Sequence, residues 1–359
     1  MEKMVIGDFY KGKKVLITGD TGFKGSWLAL WLHSMGAEVT GYALPPDGEN
    51  SHFELLQLNQ LIRHVDGNLL DSEKLEQVFS DAQPEIVFHM AAQALVRLSY
   101  DEPKMTFETN VTGSVNVMEA IRKTASVRSL IYVTSDKCYK NKEWIWGYRE
   151  NDELGGHDPY SASKAAAEIV FSSYRDSFFS KNEKIGVASV RAGNVIGGGD
   201  WAVDRIIPDC IRSLKADKQI EIRNPKATRP WQYVLEPLYG YMILAKNLFE
   251  QPQSYSGSWN FGPGIDSIKT VKELTEKTIA YFGKGSVAVV DGDKNKHEAG
   301  LLHLNCDKSH HELGWHPVWD FDQTINHTVS WYKDYLSGKP THEISLKQIN
   351  QFMEDSTND

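Results

Sequence analysis

Tyr160 and Lys164 are separated by Ser161, Ala162 and Ser163, a YxxxK offset that puts a phenol and an ammonium on one face of a helix. Upstream, Thr134-Ser135-Asp136-Lys137 closes an apolar run and adds a hydroxyl, a carboxyl and a second amine where a strand would end. Together these groups can take the proton of an alcohol as its carbon-bound hydrogen leaves as hydride. A phenol with a reference pKa of ~10 is a poor base at neutral pH. Lowering it by about three units takes about 4 kcal/mol, roughly what one cation supplies at ~4 Å and an effective dielectric of ~20. Tyr160 is therefore expected as the base, Lys164 as the cation that lowers it, and Ser135 as the hydrogen-bond partner of the reacting oxygen.

A departing hydride needs an acceptor. Residues 15–18 form an apolar run that enters Gly19-Asp20-Thr21-Gly22-Phe23-Lys24-Gly25, and helical spacing starts at Trp27. Between a first strand and a first helix, Gly19 permits a tight turn, Gly22 lets the backbone approach a pyrophosphate, and Gly25 lets the helix lie close on the sheet with its positive end facing the anion. Gly19, Thr21, Gly22, Phe23, Lys24 and Gly25 are the expected dinucleotide contacts, and Lys164 would also hold the nicotinamide ribose.

The second strand ends in Tyr42-Ala43-Leu44-Pro45-Pro46, without the acid that usually binds the adenosine ribose and without an arginine for a 2′-phosphate. The cofactor is expected to be NAD, with NADP not excluded. Asn68 could receive the adenine amino group on its side-chain oxygen, with Leu69 packed nearby. Ala91, Ala92, Gln93 and Arg97 follow the fourth strand and border the cofactor and substrate.

These residues need a scaffold that brings several strand ends together. Residues 15–18, 39–42, 86–89, 130–134 and 187–191 read as strands, while 27–33, 75–79, 111–121 and 165–178 carry helical apolar spacing. The alternation predicts an α/β fold, a Rossmann-type doubly wound parallel sheet with right-handed crossovers. The glycine-rich stretch 193–200 marks a domain boundary or ligand loop. Residues 1–192 are thus expected to form the NAD(P)-binding domain and 193–359 mainly a smaller α/β substrate domain, with some segments returning to the first. In that second half, helices are expected near 238–249, 271–282 and 321–335, with a strand-like 259–261 and a frayed polar end at 354–359.

Composition narrows the function. Across 359 residues, 41% hydrophobic and 24% charged describe an ordinary globular protein long enough for two domains. No segment reaches the ~18 uninterrupted apolar residues of a membrane span. Residues 1–12 lack a secretory layout, so a cytoplasmic location is expected. A net charge of -9 opposes nucleic-acid binding. Cys138, Cys210 and Cys306 are far apart and read as structural thiols, and the histidines lack metal-ligand spacing, so no metal is expected.

At these residues the chain resembles the extended short-chain dehydrogenase/reductase superfamily, and within it the CDP-glucose 4,6-dehydratases. The resemblance runs nearly end to end. It is carried by TGDTGFKGSW (18–27), HMAAQALV (89–96), ETNVTGSVNVMEA (108–120), VTSDKCY (133–139), YSASK (160–164), VRAGNVIGGGDW (190–201), RPWQYVLEP (229–237) and ELGWHP (312–317). It implies conversion of CDP-glucose to CDP-4-keto-6-deoxyglucose plus water, in deoxysugar and O-antigen biosynthesis, with bound NAD reduced and reoxidised within one turnover. In sugar-nucleotide dehydratases generally, an Asp and a Glu after the catalytic hydroxyl serve the elimination. Asp136 fits the first place, and Lys137 stands in the second.

Under that resemblance Asp136 would protonate O6 and Lys137 would take the C5 proton. A direct ion pair would defeat both roles, so the two are expected not to pair. The alternative for Lys137 is a surface or phosphate-binding lysine. For the substrate pyrophosphate the resemblance favours Arg229 and Asn194, with Arg205 and Arg223 as further cations. Asn110 would kink its helix near Lys164. A homo-oligomer is implied through the helices at 111–121 and 165–178.

A 4-epimerase would need only Ser135, Tyr160 and Lys164, so the Asp136-Lys137 pair discriminates against it. A catalytically silent NAD(P)-binding regulator would usually lack one of that trio.

Overall fold

The computed structural model describes residues 6–290 and 301–357. Residues 1–5 of the N-terminal stretch and 358–359 of the polar end lie outside the described residues. Seven strands make one sheet: β1 Lys14–Thr18, β2 Glu38–Ala43, β3 Arg63–Asp66, β4 Ile86–His89, β5 Ser129–Val133, β6 Gly186–Arg191 and β7 Gly257–Asn260. Their spatial order is 7-6-5-4-1-2-3, with every adjacent pair parallel.

The inner strands are apolar runs because both faces are covered. Leu16 and Val87 pack with Val117 and Ile121 on one face, while Val15 and Ile17 pack with Trp27 and Trp31 on the other. The strand order reverses between β1 and β4, which opens a crevice at the carboxyl ends of the strands.

Helices α1 Phe23–Ser34, α2 Ser72–Ala82, α3 Gly113–Lys123 and α4 Pro159–Tyr174 cover the sheet. Two of them differ from the expected spans. The helix expected at 111–121 begins as a π-helical turn, Glu108–Thr112, and the one expected at 165–178 passes after Tyr174 into another, Arg175–Phe179.

The second half contributes α5 Ile206–Lys215, α6 Leu235–Glu250, α7 Val271–Phe282, α8 Phe321–Leu336 and α9 Thr341–Thr357. Leu238 of α6, Trp331 of α8 and Phe352 of α9 join the core of Trp27 and Trp31. A smaller cluster forms where Cys210 and Leu214 of α5 meet Ile220, Ile222 and, from α7, Ile279.

The frayed end expected at 354–359 is corrected for residues 354–357: α9 continues to Thr357, with Phe352 fully buried and the Trp319 indole N–H donating to Asp355 at 2.8 Å. The glycine-rich stretch is largely a packing device. A Cβ at Gly198 would lie 1.9 Å from Trp331, and one at Gly199 would lie 2.3 Å from His52. The Trp27 indole N–H donates to Gly198 O at 2.9 Å, tying this loop to α1.

Candidate active site

The glycine turn joins β1 to α1. Gly19 has φ +82°, and a Cβ there would come within 2.7 Å of Ala91 N. A Cβ at Gly25 would sit 2.0 Å from Gly19 O. Gly22 caps α1 without a side chain, leaving the positive end of the helix facing the crevice. Thr21 Oγ1 donates to Leu44 O at 3.0 Å, and Thr18 Oγ1 accepts from Ala91 N at 3.3 Å, so the turn is fastened to β2 and to the segment after β4. The turn from Gly19 to Gly25 and Ala91, with Ala92 next along the chain, thus lie together at the carboxyl ends of β1 and β4. A cradle of bare Cα atoms at a helix N-terminus fits a dinucleotide pyrophosphate.

At the adenosine end no acid follows β2. Asn68 is exposed, and its Oδ1 accepts from Leu70 N at 2.9 Å, which leaves one lone pair outward. Leu69 is buried where a Cβ at Gly113 would approach within 2.8 Å. An unexpected pair lies beneath: the buried Asp20 carboxylate crosses Gly41 to meet His64 Nδ1 at 2.7 Å, and burial pushes that carboxyl up.

The Gln93 side chain turns into the protein, its amide donating to Leu95 O at 3.0 Å and Thr106 Oγ1 at 2.9 Å. Its peptide is held by Asn110, which accepts from Gln93 N at 2.8 Å and donates to Gln93 O at 3.0 Å. Asn110 sits in the π turn and also donates to Ser163 Oγ at 2.9 Å, bringing that turn against α4.

The reactive groups meet at the carboxyl edge. Ser135 caps the 3-10 turn Asp136–Cys138, accepting from Lys137 N at 3.2 Å and donating to Asp136 Oδ1 at 3.0 Å. Asp158 caps α4 by accepting from Ser161 N at 2.9 Å, and Pro159 opens the first turn, which sets Tyr160 there and Lys164 one turn on. Both side chains are buried, and Lys164 Nζ reaches Val133 O at 3.5 Å.

Asp136 bonds to Ser135 and, at 3.5 Å, to Asn194 Nδ2; no ion pair joins it to Lys137 among the described residues. Its carboxylate rests on bare Gly193, where a Cβ would lie 1.9 Å away. Asn194 itself has φ +52°, which asparagine tolerates.

Electrostatics differ from the expected lowering of Tyr160 by Lys164. Burial pushes the phenol up to about 12; the Ser135 hydroxyl pulls it down, the Asp136 carboxylate raises it, and the Arg205 guanidinium lowers it. Burial likewise pushes the Lys164 amine down to about 8, opposed by the Glu168 carboxylate one turn along α4. Lys24 is also pushed down to about 8, by burial and then by the charges of Lys164 and Arg205, so its side chain belongs to the same centre.

Three arginines converge beside this centre. Arg97 Nη1 and Arg223 Nη2 each lie 3.3 Å from Asp204 Oδ1, while Arg205 Nη1 holds Asp200 Oδ2 at 2.9 Å. Arg229 lies on the short strand Thr228–Pro230, opposite Lys269 in the antiparallel pair. Sequence reasoning missed the clamp on Asp204 and the buried Glu168–Arg191 pair; the offset of four residues from Lys164 to Glu168 was the available signal for the second.

A family model described as GDP-mannose 4,6 dehydratase matches residues 16–328. The chain is 47% identical to a CDP-glucose 4,6-dehydratase of Salmonella typhimurium, over 99% of this chain and 100% of that protein. It is 25% identical to a human dTDP-D-glucose 4,6-dehydratase over 93% of this chain and 94% of that one. Among solved structures, a Bacillus anthracis dTDP-glucose 4,6-dehydratase in complex with NAD superposes with a TM-score of 0.76 at 20% identity, covering 92% of this chain and 100% of the other. The parallel sheet agrees with the fold of these matches, and the chain belongs to the GDP-mannose 4,6-dehydratase family.

Proposed function

We propose that the chain converts CDP-glucose to CDP-4-keto-6-deoxyglucose and water. The observation that carries this reading is the meeting of Ser135, Asp136 and Lys137, on one turn, with Tyr160 and Lys164 at the mouth of the glycine-lined crevice. The Gly19 to Gly25 turn would hold NAD, which would supply the hydride acceptor for C4 of the glucosyl group and the hydride donor for C6. Tyr160 takes the proton of the C4 hydroxyl while Ser135 hydrogen-bonds the same oxygen, and Lys164 holds the positive charge beside them. The C4 ketone acidifies C5; Lys137 takes the C5 proton and Asp136 protonates O6, so that water leaves. The contact of Asp136 with Asn194, in place of an ion pair with Lys137, supports this division of labour.

The pyrophosphate is assigned to Arg97, Arg205 and Arg223 around the 200–205 loop, with Arg229 and Asn194 beyond. Residues 1–192 carry the cofactor, and 193–359 mainly the sugar nucleotide. Ile169, Phe178 and Phe107 are apolar and exposed around α3 and α4, which favours a homo-oligomer paired through these helices. No helix among the described residues is long and apolar enough to cross a membrane, and we assign the enzyme to the cytoplasm and to deoxysugar assembly for O-antigen.

Incubation of the purified protein with CDP-glucose tests the reading. The alkali-induced absorbance of a 4-keto-6-deoxy sugar is the expected result. A CDP-galactose product without that absorbance would replace the dehydratase with a 4-epimerase.

A further inference from the structure

A cavity of about 370 Å³ opens outward from Asp136 between two loops, 145–147 on one side and 262–265 on the other. Its size falls in the range of small-ligand pockets. Its inner end is formed by Asp136, Gly193 and Gln232, the groups that border the reacting centre. Among the described residues no lysine or arginine lines it, whereas Asp136 and Asp307 do, so it is hostile to a diphosphate.

Polar side chains other than carboxylates are also present. His303 and His310 stand in the wall; burial pushes each imidazole down, and each has one ring nitrogen without a hydrogen-bond partner among the described residues. Such a wall suits an uncharged polyol.

The rim carries an unusual residue. The Trp146 indole is 65% exposed, yet it is not loose: its ring packs edge-on against Trp144 at 5.7 Å, and Trp144 stacks on the buried Tyr148 at 5.3 Å. The loop is pinned behind it, with Tyr148 N donating to His303 O at 3.0 Å and Asn305 N donating to Tyr148 O at 2.9 Å. A Cβ at Gly147 would lie 2.7 Å from Asn305 N, so the backbone is pressed flat there. An indole that faces solvent on a fixed backing is a preorganised platform.

We propose that this cavity receives the hexosyl group of the substrate and that Trp146 is its stacking platform, a specificity-determining residue for the sugar rather than for the nucleotide. The inference rests on the dehydratase reading, because that reading puts C6 of the glucosyl group at Asp136. The cytosine is separated from C6 by the ribose and the diphosphate, and the diphosphate is drawn to the arginines around Asp204, outside this cavity. The part of the substrate that is uncharged and continuous with C6 is the pyranose ring. Its face of C–H bonds matches the electron-rich face of an indole.

Calorimetric titration of the holoenzyme with CDP-glucose and with CDP, for the wild type, Trp146→Ala and Trp146→Phe, tests the proposal. The expected result is a Kd for CDP-glucose raised about fivefold to tenfold in Trp146→Ala, an unchanged Kd for CDP, and recovery of most of the loss in Trp146→Phe. Equal weakening of both ligands would move Trp146 to the nucleotide and overturn the proposal, as would unchanged affinity for both. Wild-type turnover of CDP-glucose is measured alongside: its absence removes the dehydratase reading itself, whereas turnover with a Trp146→Ala variant of wild-type affinity removes only the inference about the cavity.

Discussion

The Glu168 carboxylate accepts from Arg191 Nε at 3.0 Å and from Arg191 Nη2 at 2.7 Å, one helical turn beyond Lys164. Both partners are buried, and the carboxylate also accepts from Ser189 Oγ and Thr134 Oγ1. Arg191, at the end of β6, reaches further to Tyr139 Oη and Ser258 Oγ, so one guanidinium joins α4 to β7 and to the segment that follows the Asp136–Cys138 turn.

Arg191→Met would leave that carboxylate buried and uncompensated, and should cost about 3–5 kcal/mol of stability. Urea unfolding of the variant against the wild type measures it. Arg191→Lys, which keeps the charge and loses the fork, should cost less. Equal stability of all three proteins would show that the pair contributes nothing.

Gly193→Ala should damage catalysis more than folding. The added Cβ meets the Asp136 carboxylate at 1.9 Å and must push it from its place beside Asn194. Displacement of a catalytic group by about 1 Å is worth about 100-fold in kcat. A variant with wild-type kcat would mean that Asp136 can move without consequence.

Tyr160→Phe and Lys137→Ala should fail at different steps. Under the proposed mechanism the first lacks the group that takes the C4 proton and should lose about 10²–10⁴-fold in the oxidation itself. The second should oxidise C4 and then stall, which would appear as persistent absorbance of the reduced nicotinamide without release of the keto-deoxy product. If Lys137→Ala turns over normally, that amine is a surface or phosphate-binding lysine.

Acid should unfold the protein through two histidines. His52 lies between Ser26 Oγ and Ser345 Oγ, His89 between Thr18 Oγ1 and Ser114 Oγ, and burial pushes each imidazole down to about 3. Since the unfolded value is ~6.5, their contribution is complete above that pH and is lost as pH falls toward the folded value. The expected slope grows to about 1.4 kcal/mol per pH unit for each histidine as pH falls below the unfolded value. Denaturant unfolding between about pH 7 and pH 5 reads it. A His52→Gln/His89→Gln double variant with an undiminished slope would locate the acid sensitivity elsewhere.

Most of the sheet was legible because β1, β4 and β5 are buried on both faces and carry the apolar runs Val15 to Ile17, Ile86 to Phe88 and Leu130 to Val133, while the run Val187 to Val190 in β6 is broken only by Ser189. Tyr160 and Lys164 were legible because Asp158 and Pro159 announce a helix start immediately before them. Helix α9 was not, since three of its buried residues, Thr341, Ser345 and Gln348, are polar and thin out the apolar spacing. Nor could spacing reveal that Arg97, Asp204 and Arg223, from three distant segments, share one place. The upward push on Tyr160 was missed for a related reason: desolvation depends on what surrounds a group in space, and the sequence neighbours show only the charges nearby along the chain.

The late arrival of β7 bears on how the molecule is made. Gly257–Asn260 pairs with β6 through Ala188 to Arg191, and Asn260 then anchors Tyr148 and Asn305 by their carbonyls. A nascent chain that has left the ribosome only as far as α5 presents the β6 edge with its peptide groups open on one side, a surface that invites pairing with other chains. Translation must pass residue 260 before that edge is sealed, so slow elongation between α5 and β7 lengthens the interval in which aggregation competes with completion of the sheet.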